Sequence, residues 1–201
     1  GLMKKIVFDL GNVIVRFDPM EIYHRYVNTQ EEAVMLYDIL MATKLWEKLD
    51  AGVDPLQVIQ EAQQHADSSL HYAIEQLIHT WTTGLEVDKQ MEEFIIELYQ
   101  RGIDLYLLSN ASRQIHDFLG EHSLFSLMKG HYVSADTQLV KPQATIYEHF
   151  CEAFQLNPQD LIFIDDRLEN IQAAKQQGWD TYHYTFDFED LKDYIEQQLN
   201  K

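Results

Sequence analysis

The sequence predicts an α/β protein, a doubly wound, Rossmann-type parallel sheet with an all-helical insertion after its first strand. Three observations carry this. Ile6, Val7 and Phe8, and again residues 161–164, are short, wholly apolar runs, the composition of strands buried on both faces. After Gly84 such runs alternate with amphipathic stripes, and strand–helix alternation implies a parallel sheet. Over residues 19–87, by contrast, every apolar stripe has helical spacing and no strand is evident.

The first strand ends at Asp9. Asp18 and Pro19 then open a helix, the Asp as N-cap and the Pro at the first helical position. Ala33, Leu36, Tyr37, Leu40 and Met41 share one helical face, as do Leu70, Ile74, Leu77, Ile78 and Trp81; breaks fall at 50–55 and near 67–69. Met91, Phe94, Ile95, Leu98 and Tyr99 form a stripe that stops at Gly102, a C′ glycine. Residues 103–108 follow as a strand, 112–122 as a helix and 131–134 as a short strand. Ile146, Tyr147, Phe150, Cys151 and Phe154 mark the next helix, which Asn157 and Pro158 break. The apolar strand 161–164, a helix from Leu168 to Gly178, a strand at 181–184 and a helix at 188–199 complete the chain. The core is therefore expected to be discontinuous, residues 1–18 and 88–201, with a helical domain over 19–87. Gly1, ahead of Met3, is set aside as an expression remnant.

The chain has 201 residues, 46% of them hydrophobic, and a formal net charge of −18. That length supplies a real core, and the apolar content argues against disorder. The charge argues against nucleic acid and anionic membranes as partners, because both are held by Lys and Arg. A single cysteine, Cys151, forms no internal disulfide, which suits a reducing compartment. No charged–apolar–small leader and no membrane-length apolar run is present, so a cytoplasmic location is expected.

In an open parallel sheet, ligands bind beyond the carboxyl ends of the strands. Here those ends read Asp9-Leu10-Gly11-Asn12, Ser109-Asn110 and Asp165-Asp166, with Lys141 before Pro142 between the second and third. Aspartates also cap helices and form turns. Three of them following two separate apolar strands would repel one another if brought together without a cation. An oxygen-only donor set of this kind suits Mg²⁺.

These motifs, Phe8-Asp9-Leu10-Gly11-Asn12-Val13, Leu107-Leu108-Ser109-Asn110, Lys141-Pro142 and Phe163-Ile164-Asp165-Asp166-Arg167-Leu168-Glu169-Asn170, in this order, resemble the haloacid dehalogenase-like hydrolase superfamily. The insertion after the first strand looks like that family's helical cap. The opening and closing motifs look most like its small bacterial sugar-phosphate phosphatases, glucose-1-phosphatase-like members among them. The resemblance implies that Asp9 attacks phosphorus to give an aspartyl-phosphate, which water then hydrolyses. It further implies Mg²⁺ held by Asp9, the Gly11 carbonyl, Asp166 and Asp165. Ser109 and Asn110 would bind the phosphoryl group, and Lys141 would supply it with a fixed positive charge. The substrate would be a small phosphorylated metabolite, a sugar phosphate first among the candidates.

One departure stands out. Most phosphatases of the family carry a second Asp two positions after the nucleophile as general acid and base, and here that position is Gly11. Such a group is worth on the order of 10²–10⁴ in rate. Either the leaving group needs little protonation, or a cap or water group substitutes, or the chain is a catalytically weak or idle binding protein. A metal-free 2-haloacid dehalogenase also lacks the second Asp, but the Asp165-Asp166 pair would repel its anionic substrate. Cys151 reads as a packing residue, Asp18 as an N-cap, and His116 and His122 as solvated. Trp46 and the Leu49-Asp50-Ala51-Gly52 turn fall where the family selects substrates, while Arg16 and His24 are weaker candidates for the site.

Overall fold

Five parallel strands form one sheet, in the order β3-β2-β1-β4-β5, in a computed structural model that describes residues 3–201. Gly1 and Leu2, the outer edge of the expected first core segment, lie outside the described residues. β1 (Lys5–Phe8) is central and is followed by six α-helices before the next strand, the first five being α1 (Pro19–His24), α2 (Gln30–Tyr37), α3 (Leu45–Asp50), α4 (Pro55–Gln64) and α5 (His71–Thr80). Then come α6 (Lys89–Gln100), β2 (Leu105–Ser109), α7 (Ile115–Glu121), β3 (Gly130–Val133), the single turn α8 (Ser134–Thr137) and α9 (Ala144–Phe154). β4 (Leu161–Asp165), α10 (Leu168–Gln176), β5 (Asp180–His183) and α11 (Phe188–Leu199) close the chain.

Strand side chains alternate between faces, and the two faces carry different cores. Ile6 and Phe8 of β1, Leu105 and Leu107 of β2 and Ile162 and Ile164 of β4 join one cluster, which continues without a break into Leu36, Trp46 and Leu77 of the inserted helices. Val7, Tyr106, Leu108, Leu161 and Phe163 point the other way, onto Ile146, Tyr147 and Phe150 of α9 and Ile171 of α10. Each such fully buried side chain contributes roughly 1.5–3 kcal/mol. That double burial is why the strands read as continuous apolar runs.

The helix starts follow from capping chemistry. Asp18, Asp54 and Asp88 accept from the backbone N–H of Met20, Leu56 and Met91, and Pro19 and Pro55 occupy first-turn positions. At α2, Thr29 and Glu32 form a variant of the capping box, in which Oγ1 of Thr29 accepts from Glu32 N and the Glu32 carboxylate accepts from Asn28 N, one residue before the cap, and from the Thr29 hydroxyl. This marks a break over 25–29 that apolar spacing alone does not reveal.

The expected stripe through Tyr37 is corrected. Residues Asp38–Ala42 form a π-turn, whose extra residue per turn shifts the register; Ile39 and Leu40 face inward and Tyr37 is exposed. His122 is only partly solvated. It lies past the end of α7, its Nδ1 bonded to the Phe118 carbonyl and its ring 4.3 Å from that of Phe118. Cys151 packs half-buried beside the second core, and burial pushes its thiol up to about 11, out of nucleophile range. Among the described residues, no helix is long and apolar enough to cross a membrane.

Candidate active site

The winding direction reverses at β1, with β2 and β3 on one side and β4 and β5 on the other. A crevice is expected where such a sheet switches, outside the carboxyl ends of the two diverging strands. Asp9 follows β1 there, Asp165 ends β4, and the backbone N–H of Asp9 donates to the Ile164 carbonyl at 2.9 Å. Oxygens of Asp9, Asp165 and Asp166 all lie within 4.8 Å of one another.

Lys141 holds the cluster together. Its three ammonium N–H bonds have three acceptors: Asp9 Oδ1 at 2.9 Å, Asp165 Oδ2 at 2.8 Å and the Leu108 carbonyl at 3.0 Å. Burial works against this charge, but Asp165 and Asp9 outweigh it and raise the Lys141 pKa. The ammonium also stands 5.4 Å over the Phe163 ring. Asn110 fixes the main chain beside it. Its amide donates to the Lys141 carbonyl and accepts from Lys141 N, both at 2.9 Å, so one of the two amide N–H bonds expected to meet a phosphate is spent on placing the lysine.

The three carboxylates are not equivalent. Asp165 is fully buried and already satisfied, accepting from Lys141, from Arg167 N at 2.9 Å and from the Asn170 amide. Asp166 is half-buried and lines the open cavity. Asp9 accepts from Leu10 N and Lys141, both on Oδ1. Burial raises the Asp9 pKa well above the usual carboxylate range, and Asp165 and Asp166 add to this while Lys141 opposes it. Asp166 is raised as well, chiefly by burial. Crowded, oxygen-only and short of positive charge, this set fits a hard divalent cation such as Mg²⁺.

The cavity above the cluster measures about 680 Å³. Asp9, Gly11, Ser109, Asn110, Lys141 and Asp166 form its floor, and Phe17, Met41, Trp46, Asp50 and Trp81 face them from the helical side. Phe17 and Trp46 both pack against Trp81, at 5.7 and 5.3 Å between ring centroids. Phe17 also lies beside Gly11: a Cβ there would stand in ordinary contact with the Phe17 side chain, 3.4 Å from its Cβ. Neither Arg16 nor His24 lines the cavity; Arg16 is exposed and pairs with Glu21, and His24 borders a separate shallow depression. Asp18 serves as N-cap.

Two contributors were not singled out from sequence. Ser134, at the start of α8, donates through Oγ to the Asp50 carbonyl at 2.6 Å and accepts from Ala111 N at 3.0 Å. It thereby ties the end of α3 to the loop after β2. Asp50 itself was legible only as part of a turn. That turn seats tightly, since Gly52 has φ +84° and a Cβ there would meet the Ala135 carbonyl oxygen at 2.6 Å. Gly52→Ala is expected to cost on the order of 2–3 kcal/mol, from left-handed backbone strain plus the backbone clash, read as a lowered urea midpoint.

A family profile described as haloacid dehalogenase-like hydrolase matches residues 3–178. The sesquiterpene phosphatase astK of Aspergillus oryzae is 28% identical over 189 residues, covering 90% of each chain. A D-ribitol-5-phosphate phosphatase of Bacteroides thetaiotaomicron is 24% identical over 191 residues, covering 90% of this chain and 91% of the relative. Among solved structures, a HAD family enzyme from Bacteroides thetaiotaomicron, in complex with magnesium and inorganic phosphate, superposes with a TM-score of 0.72 at 18% identity, over 94% of this chain and 98% of that one.

Proposed function

The chain belongs to the haloacid dehalogenase-like hydrolases, and from that premise we propose that it is a Mg²⁺-dependent phosphatase of a small phosphorylated metabolite. The observation that supports this most is the pairing of Asp9 with Lys141 inside a ring of two further carboxylates, at the strand ends where the sheet switches direction. A lone nucleophilic aspartate would suit a metal-free dehalogenase. Asp165 and Asp166 beside it do not.

Asp9 is the nucleophile. Its Oδ1 is held by Leu10 N and Lys141, which leaves Oδ2 to attack phosphorus. Lys141 keeps its charge throughout and offsets the charge that develops on the transferring phosphoryl oxygens. Ser109 and the main chain of Asn110 border the place where that group sits, and Asn110 positions Lys141. Asp9, Asp166 and the Gly11 carbonyl would hold Mg²⁺, with Asp165 as the second carboxylate behind them, and the ion would supply the positive charge that lets two anions meet. Residues 19–87 act as the cap that selects the leaving group and excludes water.

For the leaving group, a sugar is the first reading. The Phe17, Trp46 and Trp81 wall favours a second, an alcohol with an apolar face. Screening sugar phosphates and isoprenoid monophosphates for released phosphate separates the two. In either case, chelation with EDTA is expected to abolish turnover and added Mg²⁺ to restore it; turnover that survives chelation overturns the assignment.

A further inference from the structure

A leaving alkoxide needs a proton, and Gly11 has none to give. A replacement acid must therefore come from another residue that lines the cavity, and Asp50 is among them. We propose that Asp50, at the end of α3, is the general acid and base of the cycle, an assignment that rests on the phosphatase reading above.

The placement is built rather than incidental. Asp50 lines the cavity opposite Asp9, and its carbonyl is pinned by Ser134, whose Oγ also receives Ala111 N, two residues beyond Ser109. Gly52, packed on the Ala135 carbonyl, closes the same turn. The main chain of Asp50 is thereby tied to the loop that flanks the phosphoryl site, and Asp50 borders the same cavity. Glu47, one turn earlier on α3, also borders the cavity but is exposed at its rim.

The groups that face Asp50 are Glu47 on its own helix, Tyr23 from α1, and Lys141 and Arg167 from the sheet side. Burial and then Glu47 push its carboxyl up to about 7, while Lys141 and Arg167 pull the other way. The Tyr23 hydroxyl is buried with no hydrogen-bond partner among the described residues, and burial, then the charge of Asp50, raises its pKa. A carboxyl titrating near neutrality can both give and take a proton at working pH.

In the first step the bond from Asp9 Oδ2 to phosphorus forms as the phosphorus–alcohol bond breaks, and the Asp50 proton passes to the departing oxygen. In the second, water attacks the same phosphorus, its proton moves to the Asp50 carboxylate, and the phosphorus–Asp9 bond breaks. Alcohol and phosphate leave, and Asp9 and Asp50 return to their starting states.

The test uses two probes of similar size with Mg²⁺ present: p-nitrophenyl phosphate, whose phenolate departs without a proton, and benzyl phosphate, whose alkoxide requires one. Asp50→Asn keeps the carbonyl that Ser134 binds. It is expected to lower kcat/KM on benzyl phosphate on the order of 10²–10³, yet to release one equivalent of nitrophenolate in a first-turnover burst near the wild-type rate. The burst should then stall, because the phosphoenzyme lacks its base. An equal loss on both probes in the first turnover, or no loss on benzyl phosphate, overturns the role. A wild-type measurement stands independently of how the variant folds. Benzyl phosphate kcat/KM should decline above about pH 7 as the acid ionises, while the p-nitrophenyl phosphate burst rate should not, and identical profiles also overturn it. If wild-type protein releases nothing from either probe, the phosphatase reading falls first and takes this assignment with it.

Discussion

Asp9→Asn is expected to lower phosphate release by a factor on the order of 10⁴ or more while leaving the fold intact, because an amide cannot attack phosphorus. The local bonding explains why structure and activity should part here. Both donors to Asp9, Leu10 N and the Lys141 ammonium, meet Oδ1, so an asparagine oxygen keeps both bonds. The amide nitrogen then replaces Oδ2, which takes no hydrogen bond among the described residues. Burial and the neighbouring carboxylates disfavour the Asp9 charge in the folded protein. Removing that charge should leave the melting temperature of the metal-free protein at or above the wild-type value. Mg²⁺ should stabilise the variant less than the wild type, since a ligand is gone and stabilisation follows affinity. Turnover within tenfold of wild type would end the nucleophile assignment, and a melting temperature lowered by several degrees would end the account of its bonding.

That separation shows which parts of the molecule were legible in advance. Strand ends in a parallel sheet fall where the apolar runs stop, so Asp9, Ser109, Asp165 and Asp166 were placed by the chain itself. Helix α11 spans the residues its pattern indicated, because Phe188, Leu191 and Ile195 repeat at helical spacing behind the Asp187 cap. The inserted helices were harder. A π-turn at Asp38–Ala42 shifts the register of the inward face, which no apolar count detects. The capping box at Thr29 and Glu32 was a readable signal that the apolar stripes obscured. Asp50 was out of reach for a different reason: whether a carboxylate on α3 faces Asp9 depends on how α3 docks, and that rests on Ser134 and Gly52, far apart in sequence.

Lys141→Met carries the largest expected stability cost. Methionine approximates the lysine stem in volume but removes a charge that is only 1% exposed and touches two carboxylates. Breaking a buried pair by deleting one partner leaves uncompensated charge, for a cost of about 3–5 kcal/mol. The Leu108 carbonyl loses its donor as well, a buried acceptor worth roughly 1–3 kcal/mol when unpaired. Adding Mg²⁺ should recover part of this loss, because a divalent cation among Asp9, Asp165 and Asp166 replaces the missing charge even though it cannot reach the carbonyl. Turnover should stay low in the rescued protein, since Lys141 acts on the transferring oxygens and not only on the fold. Coupling gives a stricter check. With Asp9→Asn already present, Lys141→Met leaves one fewer carboxylate unpaired, so its cost should shrink by 0.5–3 kcal/mol, about the range of contacting residues in double-mutant cycles. Additive losses in urea unfolding would mean that Asp9 and Lys141 do not share charge, and Lys141 would then be anchored by Asp165 and the Leu108 carbonyl alone.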